Sequence, residues 1–256
     1  RMEIAAAPRA GAVVASLRGA VVRRGGFTLG PVDLQIDWAV RVAITGANGS
    51  GKSVLMHLIA SLDKPTSGIV SCTDAEGRPA RVGLVFQDAD AQILGDTPLE
   101  DVSVGPKNLG FSRTEAAAIA RGALARAGLE GKEGFPARSL SGGEKRRLAV
   151  AGILALDAPI IILDEPYANL DWPGVAQVNG IIRQLKNEGR TVIVLTHELE
   201  KVLALADRLM VLYQGEIVWD GEPREGLRSA PLEKWGIRNP LASYSGVQDL
   251  LWESGV

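Results

Sequence analysis

The stretch Val40-Arg41-Val42-Ala43-Ile44-Thr45-Gly46-Ala47-Asn48-Gly49-Ser50-Gly51-Lys52-Ser53 decides the fold. Val40–Ile44 is a short apolar run of the kind that forms a buried strand. Gly46 to Ser53 satisfies G-x-x-x-x-G-K-[ST] at every fixed position, and Val54, Leu55, Leu58, Ile59 and Leu62 then recur at helical spacing. A strand feeding a glycine-rich turn that opens a helix is the setting in which such a loop cradles phosphate. Backbone N–H groups converge there, and the helix dipole favours an anion. Lys52 adds a point charge for the β- and γ-phosphates, and the Ser53 hydroxyl suits Mg²⁺. Gly46, Ala47, Asn48, Gly49, Ser50, Gly51, Lys52 and Ser53 are therefore candidate nucleotide-binding residues.

Working outward, Val13–Leu17, Ala20–Arg23 and Val32–Ile36 read as short strands before the loop, and Arg81–Phe86 as another after it. From Asp88 to about Ala151 no strand is evident. Ser112-Arg113-Thr114-Glu115 is a capping box opening an Ala-rich helix that stops near Gly128, and Ser141-Gly142-Gly143-Glu144 repeats the device. The second helix carries Leu148, Ile153 and Leu156 on one face. Strands resume at Ile160–Leu163 and Thr191–Leu195, with a helix around Val175–Asn187 between them and another expected from Glu198. Arg208–Tyr213 and Glu216–Asp220 form a hairpin turning at Gln214-Gly215. Alternating strands and helices predict a largely parallel sheet with a helical insertion. The tail from Gly226, with Trp235, Pro240, Tyr244 and Trp252, reads as a short appended segment.

Composition narrows the function. A formal net charge of −2 gives no reason to expect nucleic acid as a partner, and Lys145-Arg146-Arg147 reads as a solvated helix face. The single cysteine, Cys72, excludes an intramolecular disulfide and a Cys-rich metal site, and fits a reducing cytosol. No apolar stretch reaches the roughly 20 residues of a spanning helix; Leu148 to Leu163 is broken by Asp157 and Pro159. The N-terminal Ala5-Ala6-Ala7-Pro8-Arg9 lacks the apolar core of a signal peptide. A membrane role must come through a partner.

The chemistry-bearing residues outside the loop cluster at predicted strand ends. Asp164 and Glu165 end the run Ile160-Ile161-Ile162-Leu163, where open α/β sheets place ligands. Asp164 is a candidate Mg²⁺ ligand through water, and Glu165 a candidate general base. The alternative for the pair is an acidic cap on the next helix. Gln87, at another strand end, has an amide able to reach both metal and attacking water; the alternative is a polar loop residue. His197 follows Thr191–Leu195 and Thr196, with a γ-phosphate contact or a structural role both open. Ser141 and Glu144 are explained by a capped helix. The consecutive glycines Gly142 and Gly143 are not, since each costs up to about 1 kcal/mol in a first turn; they suit an anion presented by another molecule.

Taken together these motifs resemble the nucleotide-binding subunits of ABC transporters over nearly all of residues 13–222. Residues 46–53 match Walker A, Gln87 the Q-loop, 140–144 the signature, 160–165 Walker B, Ala168-Asn169-Leu170-Asp171 the D-loop and His197 the switch histidine. The resemblance implies an α/β P-loop NTPase of the ABC ATPase fold, with an antiparallel β subdomain and a helical insertion. Its expected divisions are an ATP-binding core begun in 1–87 and completed in 152–225, a helical signature subdomain at 88–151 and a C-terminal extension at 226–256. It implies ATP with Mg²⁺ held by Ser53, Gln87 and Asp164, and catalysis by Glu165, His197 and Gln87. It also implies a head-to-tail dimer in which Ser141, Gly142, Gly143 and Asp171 of one chain meet the ATP of the other.

A finer resemblance lies in Val85-Phe86-Gln87-Asp88-Ala89-Asp90-Ala91-Gln92-Ile93-Leu94 and Glu100-Asp101-Val102-Ser103-Val104-Gly105-Pro106. These stretches are similar to those of energy-coupling-factor (ECF) ATPases, which energise uptake of vitamins and of cobalt or nickel. Asn169-Leu170-Asp171 and Gly236-Ile237-Arg238-Asn239-Pro240 agree with it. The implied partners are a second ATPase subunit, identical or paralogous, and integral membrane subunits, with this chain at the cytoplasmic face. The alternatives are an ordinary ABC transporter, a non-transport ABC ATPase acting on DNA or ribosomes, and a P-loop kinase. Two positions depart from the family. Arg24 stands where an aromatic usually stacks on adenine, so that either Phe27 substitutes or Arg24 stacks by its guanidinium plane, and Trp172 separates Asp171 from Pro173.

Overall fold

A computed structural model of the chain describes residues 13–242 except 75, 87 and 89. Gln87, Tyr244, Trp252 and the N-terminal stretch around Ala5 to Arg9 lie outside the described residues. Strands β1 (Val13–Arg24), β2 (Phe27–Asp37) and β4 (Ser67–Cys72) form an antiparallel sheet in the order β2-β1-β4. The two segments expected at 13–17 and 20–23 are one strand, with a register shift between Leu17 and Ala20. Strand β4 gave no sequence signal because it is an edge: none of its residues is buried, and Ile69 is 65% exposed.

The second sheet has the order β5-β6-β7-β3-β8-β9, from β3 (Arg41–Thr45), β5 (Val82–Val85), β6 (Ile160–Asp164), β7 (Thr191–Leu195), β8 (Arg208–Tyr213) and β9 (Glu216–Gly221). All neighbours are parallel except β8 and β9, which form the expected hairpin. The central strands have no polar face, and alternate residues enter two separate cores. Ile160, Ile162, Ile193, Leu195, Met210 and Leu212 pack with α1 (Lys52–Ile59) and the antiparallel sheet. Ile161, Leu163, Val192, Val194, Leu209 and Val211 pack with α4 (Gly142–Ala155) and α5 (Trp172–Asn187).

Helices α2 (Pro98–Asn108), α3 (Arg113–Arg126) and α4 pack on one another, and α6 (Pro223–Ser229) follows the hairpin. Helix α2 was not among the expected elements, and it contains Pro98, Gly105 and Pro106. Pro98 stands at N1, where no N–H is needed, and the Thr97 side chain caps Glu100 N at 3.2 Å. Three expectations are corrected. Leu62 does not belong to the apolar face of α1: the helix ends at Ile59, leaving Leu62 57% exposed, and Met56 is buried instead. The helix from Glu198 is a single 3-10 turn, Leu199–Lys201, followed by turns, with Leu199, Val202 and Leu205 buried at three-residue spacing. The basic run is not a solvated face either. Arg146 is only 7% exposed, and Lys145 pairs with Asp90.

Candidate active site

Parallel strands bring their C-terminal ends to one edge, and the site forms there. Ile44 of β3 lies beside Leu195 of β7, and Leu195 beside Asp164 of β6. The residues that leave those strands are the phosphate loop, the Asp164-Glu165 pair and Thr196-His197. They enclose a cavity of about 560 Å³ lined by Phe27, Asn48 to Val54, Asp164, Glu165 and His197.

The loop needs its glycines. Gly51 is the N-cap of α1 at φ 105, and a Cβ there would lie 2.9 Å from the Phe27 ring. A Cβ on Gly46 would lie 2.2 Å from the Leu212 carbonyl oxygen. Lys52 Nζ spans the loop, donating to Gly46 O at 2.6 Å and Ala47 O at 3.2 Å. Burial pulls its pKa below the ordinary lysine value, against the attraction of Glu165 and Asp164. Asp164 is shifted the opposite way: burial raises it, the Glu165 charge adds to that, and Lys52 and His57 oppose it. A triphosphate beside Lys52 and a cation beside Asp164 would each restore the charged form that burial disfavours.

Glu165 is 8% exposed and has φ 47, a left-handed conformation that a residue with a Cβ rarely adopts. The backbone fixes it there: Glu165 N donates to Leu195 O at 2.8 Å, and Ala168 N donates to Glu165 O at 3.2 Å. Both carboxylate oxygens are engaged. His197 Nδ1 lies 2.9 Å from Oε1, and Thr196 Oγ1 donates to Oε2 at 3.0 Å. With Nδ1 donating, a neutral imidazole offers only a lone pair at Nε2, so donating to phosphate as well requires the imidazolium.

The signature residues stand elsewhere. Ser141 caps α4, and neither it nor Gly142, Gly143 or Asp171 lines the cavity. Asp171 caps α5, its Oδ1 accepting from Gly174 N at 3.0 Å. A Cβ on Gly143 would meet Leu170 at 3.4 Å, and one on Gly142 would meet nothing within 4 Å. The start of α4 and the 168–171 loop thus share one face, with an uncovered helix N-terminus.

Comparison with known proteins decides the family. The model described as ABC transporter matches residues 29–168, more than half of the chain. The chain belongs to the ABC transporter ATP-binding family. It is 37% identical to the energy-coupling factor transporter ATP-binding protein EcfA of Methanocaldococcus jannaschii, covering 86% of this chain and 82% of that protein. It is 39% identical to the cobalt import ATP-binding protein CbiO of Rhodobacter capsulatus, covering 83% and 80%. Against the longer EcfA2 of Methanospirillum hungatei, at 36% identity, it covers 80% of this chain and only 54% of the relative. The structure of CbiO1 from Clostridium perfringens, described as part of the complex cbiONQ, superposes with a TM-score of 0.76 at 28% identity, covering 87% and 94%. A dimeric ATP-binding cassette in a post-hydrolysis state with ADP and Pi gives 0.71 at 30% identity, covering 82% and 99%.

The two residues that the sequence left open for adenine are placed differently. Arg24 is held by Asp63 through an ion pair of 2.5 Å and does not line the cavity, whereas Phe27 does. Three further residues gain roles that spacing did not reveal. Thr196 binds the candidate base. Arg146 Nη1 donates to Ala168 O in the 168–171 loop; burial lowers its pKa against the attraction of Glu165 and Glu198. Gln92 closes the free edge of β5, accepting from Phe86 N at 3.1 Å and donating to Leu84 O at 2.7 Å. Its amide mimics a neighbouring strand just before Gln87, and its place in the ECF-like stretch was the only signal for it.

Proposed function

We propose that this ABC ATPase is the ATP-hydrolysing subunit of an ECF-type importer for a vitamin or a transition-metal ion. In this reading it pairs head-to-tail on ATP with a second ATPase subunit at the cytoplasmic face of the membrane and drives integral membrane subunits. The observation that carries the pairing is that the cavity lacks the signature residues while Gly142 and the start of α4 stand uncovered. Trp172, 84% exposed at the start of α5 directly after the 168–171 loop, is an apolar side chain that a protein partner would cover. Relatives named for ECF and cobalt import support the transport role. Among the described residues no helix is long and apolar enough to cross a membrane. We adopt 1–87 with 152–225 as the ATP-binding core, 88–151 as the signature subdomain and 226–256 as the extension.

In the proposed reaction Phe27 covers the adenine, Lys52 and the loop amides hold the phosphates, and Glu165 takes a proton from water. The water oxygen bonds to the γ-phosphorus as the bond to the β–γ bridging oxygen breaks, and ADP leaves with that electron pair. Mg²⁺ fits the donors present: Ser53 and Asp164, with Gln87, are hard oxygen ligands, and the ion would neutralise phosphate charge. His197 pairs with Glu165 and is placed to exchange that contact for one with the γ-phosphate. Replacing Glu165 with Gln should reduce turnover to a small residual rate, leave ATP binding intact and yield an ATP-dependent dimer in sedimentation. Wild-type turnover by that variant, or no dimer with ATP, would overturn the reading.

A further inference from the structure

Thr196 is the first residue after β7, and the interior closes over it completely, with 0% of its surface exposed. A hydroxyl carries one hydrogen and two lone pairs. Here one lone pair accepts the Glu198 N–H at 3.0 Å, so the hydrogen is left for Glu165 Oε2, also at 3.0 Å. The Thr196 backbone N–H donates to Ile44 O at 3.0 Å, at the end of β3 just before the phosphate loop. One buried residue thus links the carboxylate of Glu165 to the strand that presents the loop.

The two partners of Glu165 differ. The His197 side chain is 66% exposed and stands on the cavity side, free to exchange its carboxylate contact for one with phosphate. Thr196 has no such freedom: its hydroxyl is enclosed and its direction is set by two bonds. When His197 turns toward a ligand, Thr196 is the side chain that still holds the carboxylate, leaving Oε1 facing the cavity. We propose that Thr196 is a positioning residue that fixes the rotamer of Glu165, so that Oε1 receives the proton. This inference rests on the reading of Glu165 as general base.

The test compares Thr196→Val, which keeps the shape without the hydroxyl, with Thr196→Ser, which keeps the hydroxyl. Assays run at protein concentrations where the wild type turns over. Misplacing the base by a fraction of an ångström should lower kcat for Thr196→Val by about 10- to 100-fold. KM for ATP should stay within about 2-fold, and Thr196→Ser should stay within about 3-fold of wild-type kcat, because substrate binding and the hydroxyl are untouched. Adding Thr196→Val to Glu165→Gln should not slow the residual rate further, since both substitutions remove one step. Wild-type kcat in Thr196→Val, or equal loss in the Val and Ser variants, would overturn the inference. If Thr196→Val fails to fold, Thr196→Ser still decides: retained kcat supports the role and a large loss refutes it. The failures are separable. An active Glu165→Gln sinks the general-base reading, whereas an inactive Glu165→Gln beside a fully active Thr196→Val sinks only Thr196.

Discussion

Helices α3 and α4 begin with the same device and do different things with it. Ser112 N donates to Glu115 Oε2 at 2.9 Å and Glu115 N to Ser112 Oγ at 3.3 Å; Ser141 and Glu144 repeat both bonds at the same distances. Between cap and glutamate, α3 places Arg113 and Thr114, whereas α4 places Gly142 and Gly143. The cap therefore belongs to the fold. What distinguishes α4 is the removal of side chains from the first turn, which exposes backbone N–H groups and the positive end of the dipole. A helix start that gives up stability in this way fits the proposed pairing, in which the partner's nucleotide would cover it.

The sharpest way to break the comparison is to put an acid at the same place in each helix. Gly143→Asp removes a glycine and adds a favourable first-turn charge, so the fold should gain about 1 kcal/mol. Its Cβ finds ordinary contact with Leu170 at 3.4 Å. ATP turnover should nevertheless fall at least about 100-fold, because a carboxylate would face the phosphates of the partner's nucleotide. Thr114→Asp on α3 should leave turnover unchanged. Thermal melting and steady-state hydrolysis on the two variants decide it; unaltered turnover in Gly143→Asp would mean that the glycines are not offered to ATP.

That opposition also marks what the sequence made legible. The phosphate loop, the apolar strands and both capping boxes were readable because each is local: a turn needing glycine, a run with no polar face, a serine three residues before a glutamate. The roles of Thr196 and Gln92 were not, because their partners come from tertiary pairing; Thr196 meets Glu165 only when β6 and β7 lie side by side. That Phe27 lines the cavity and Arg24 does not was hidden for the same reason, since Asp63, far along the chain, pairs with the guanidinium. The turn at Leu199 read as a helix because an apolar spacing of three approximates 3.6 over so short a span.

A milder perturbation removes the caps and leaves the glycines. Ser112→Ala and Ser141→Ala should each cost about 1 kcal/mol by denaturant titration, since each deletes the acceptor for an N3 amide. Hydrolysis should separate them. Ser141→Ala should also lose about 10-fold in turnover, with ATP binding to the single chain unchanged, as its hydroxyl is read as a contact for the partner's nucleotide. Equal turnover in the two variants would reduce Ser141 to a cap.

The smallest effect is one of pH, and it tests how firmly the two caps are held. Hydrogen bonds from Lys132, with help from the Ser141 backbone, pull Glu144 down to about 2, whereas Glu115 is lowered by Ser112 alone. A carboxylate with a depressed folded pKa contributes stability that is complete above its unfolded value and is lost on acidification. For Glu144 that loss should run from the ordinary value of 4.5 down to about 2. Lys132→Met should shrink the dependence, by less than about 1 kcal/mol because the ammonium is partly exposed. Melting curves of Lys132→Met and wild type, taken across this window, should converge toward pH 2 and separate above 4.5. Parallel curves would mean that Lys132 does not hold Glu144, and that α4 owes its bare first turn to the cap alone.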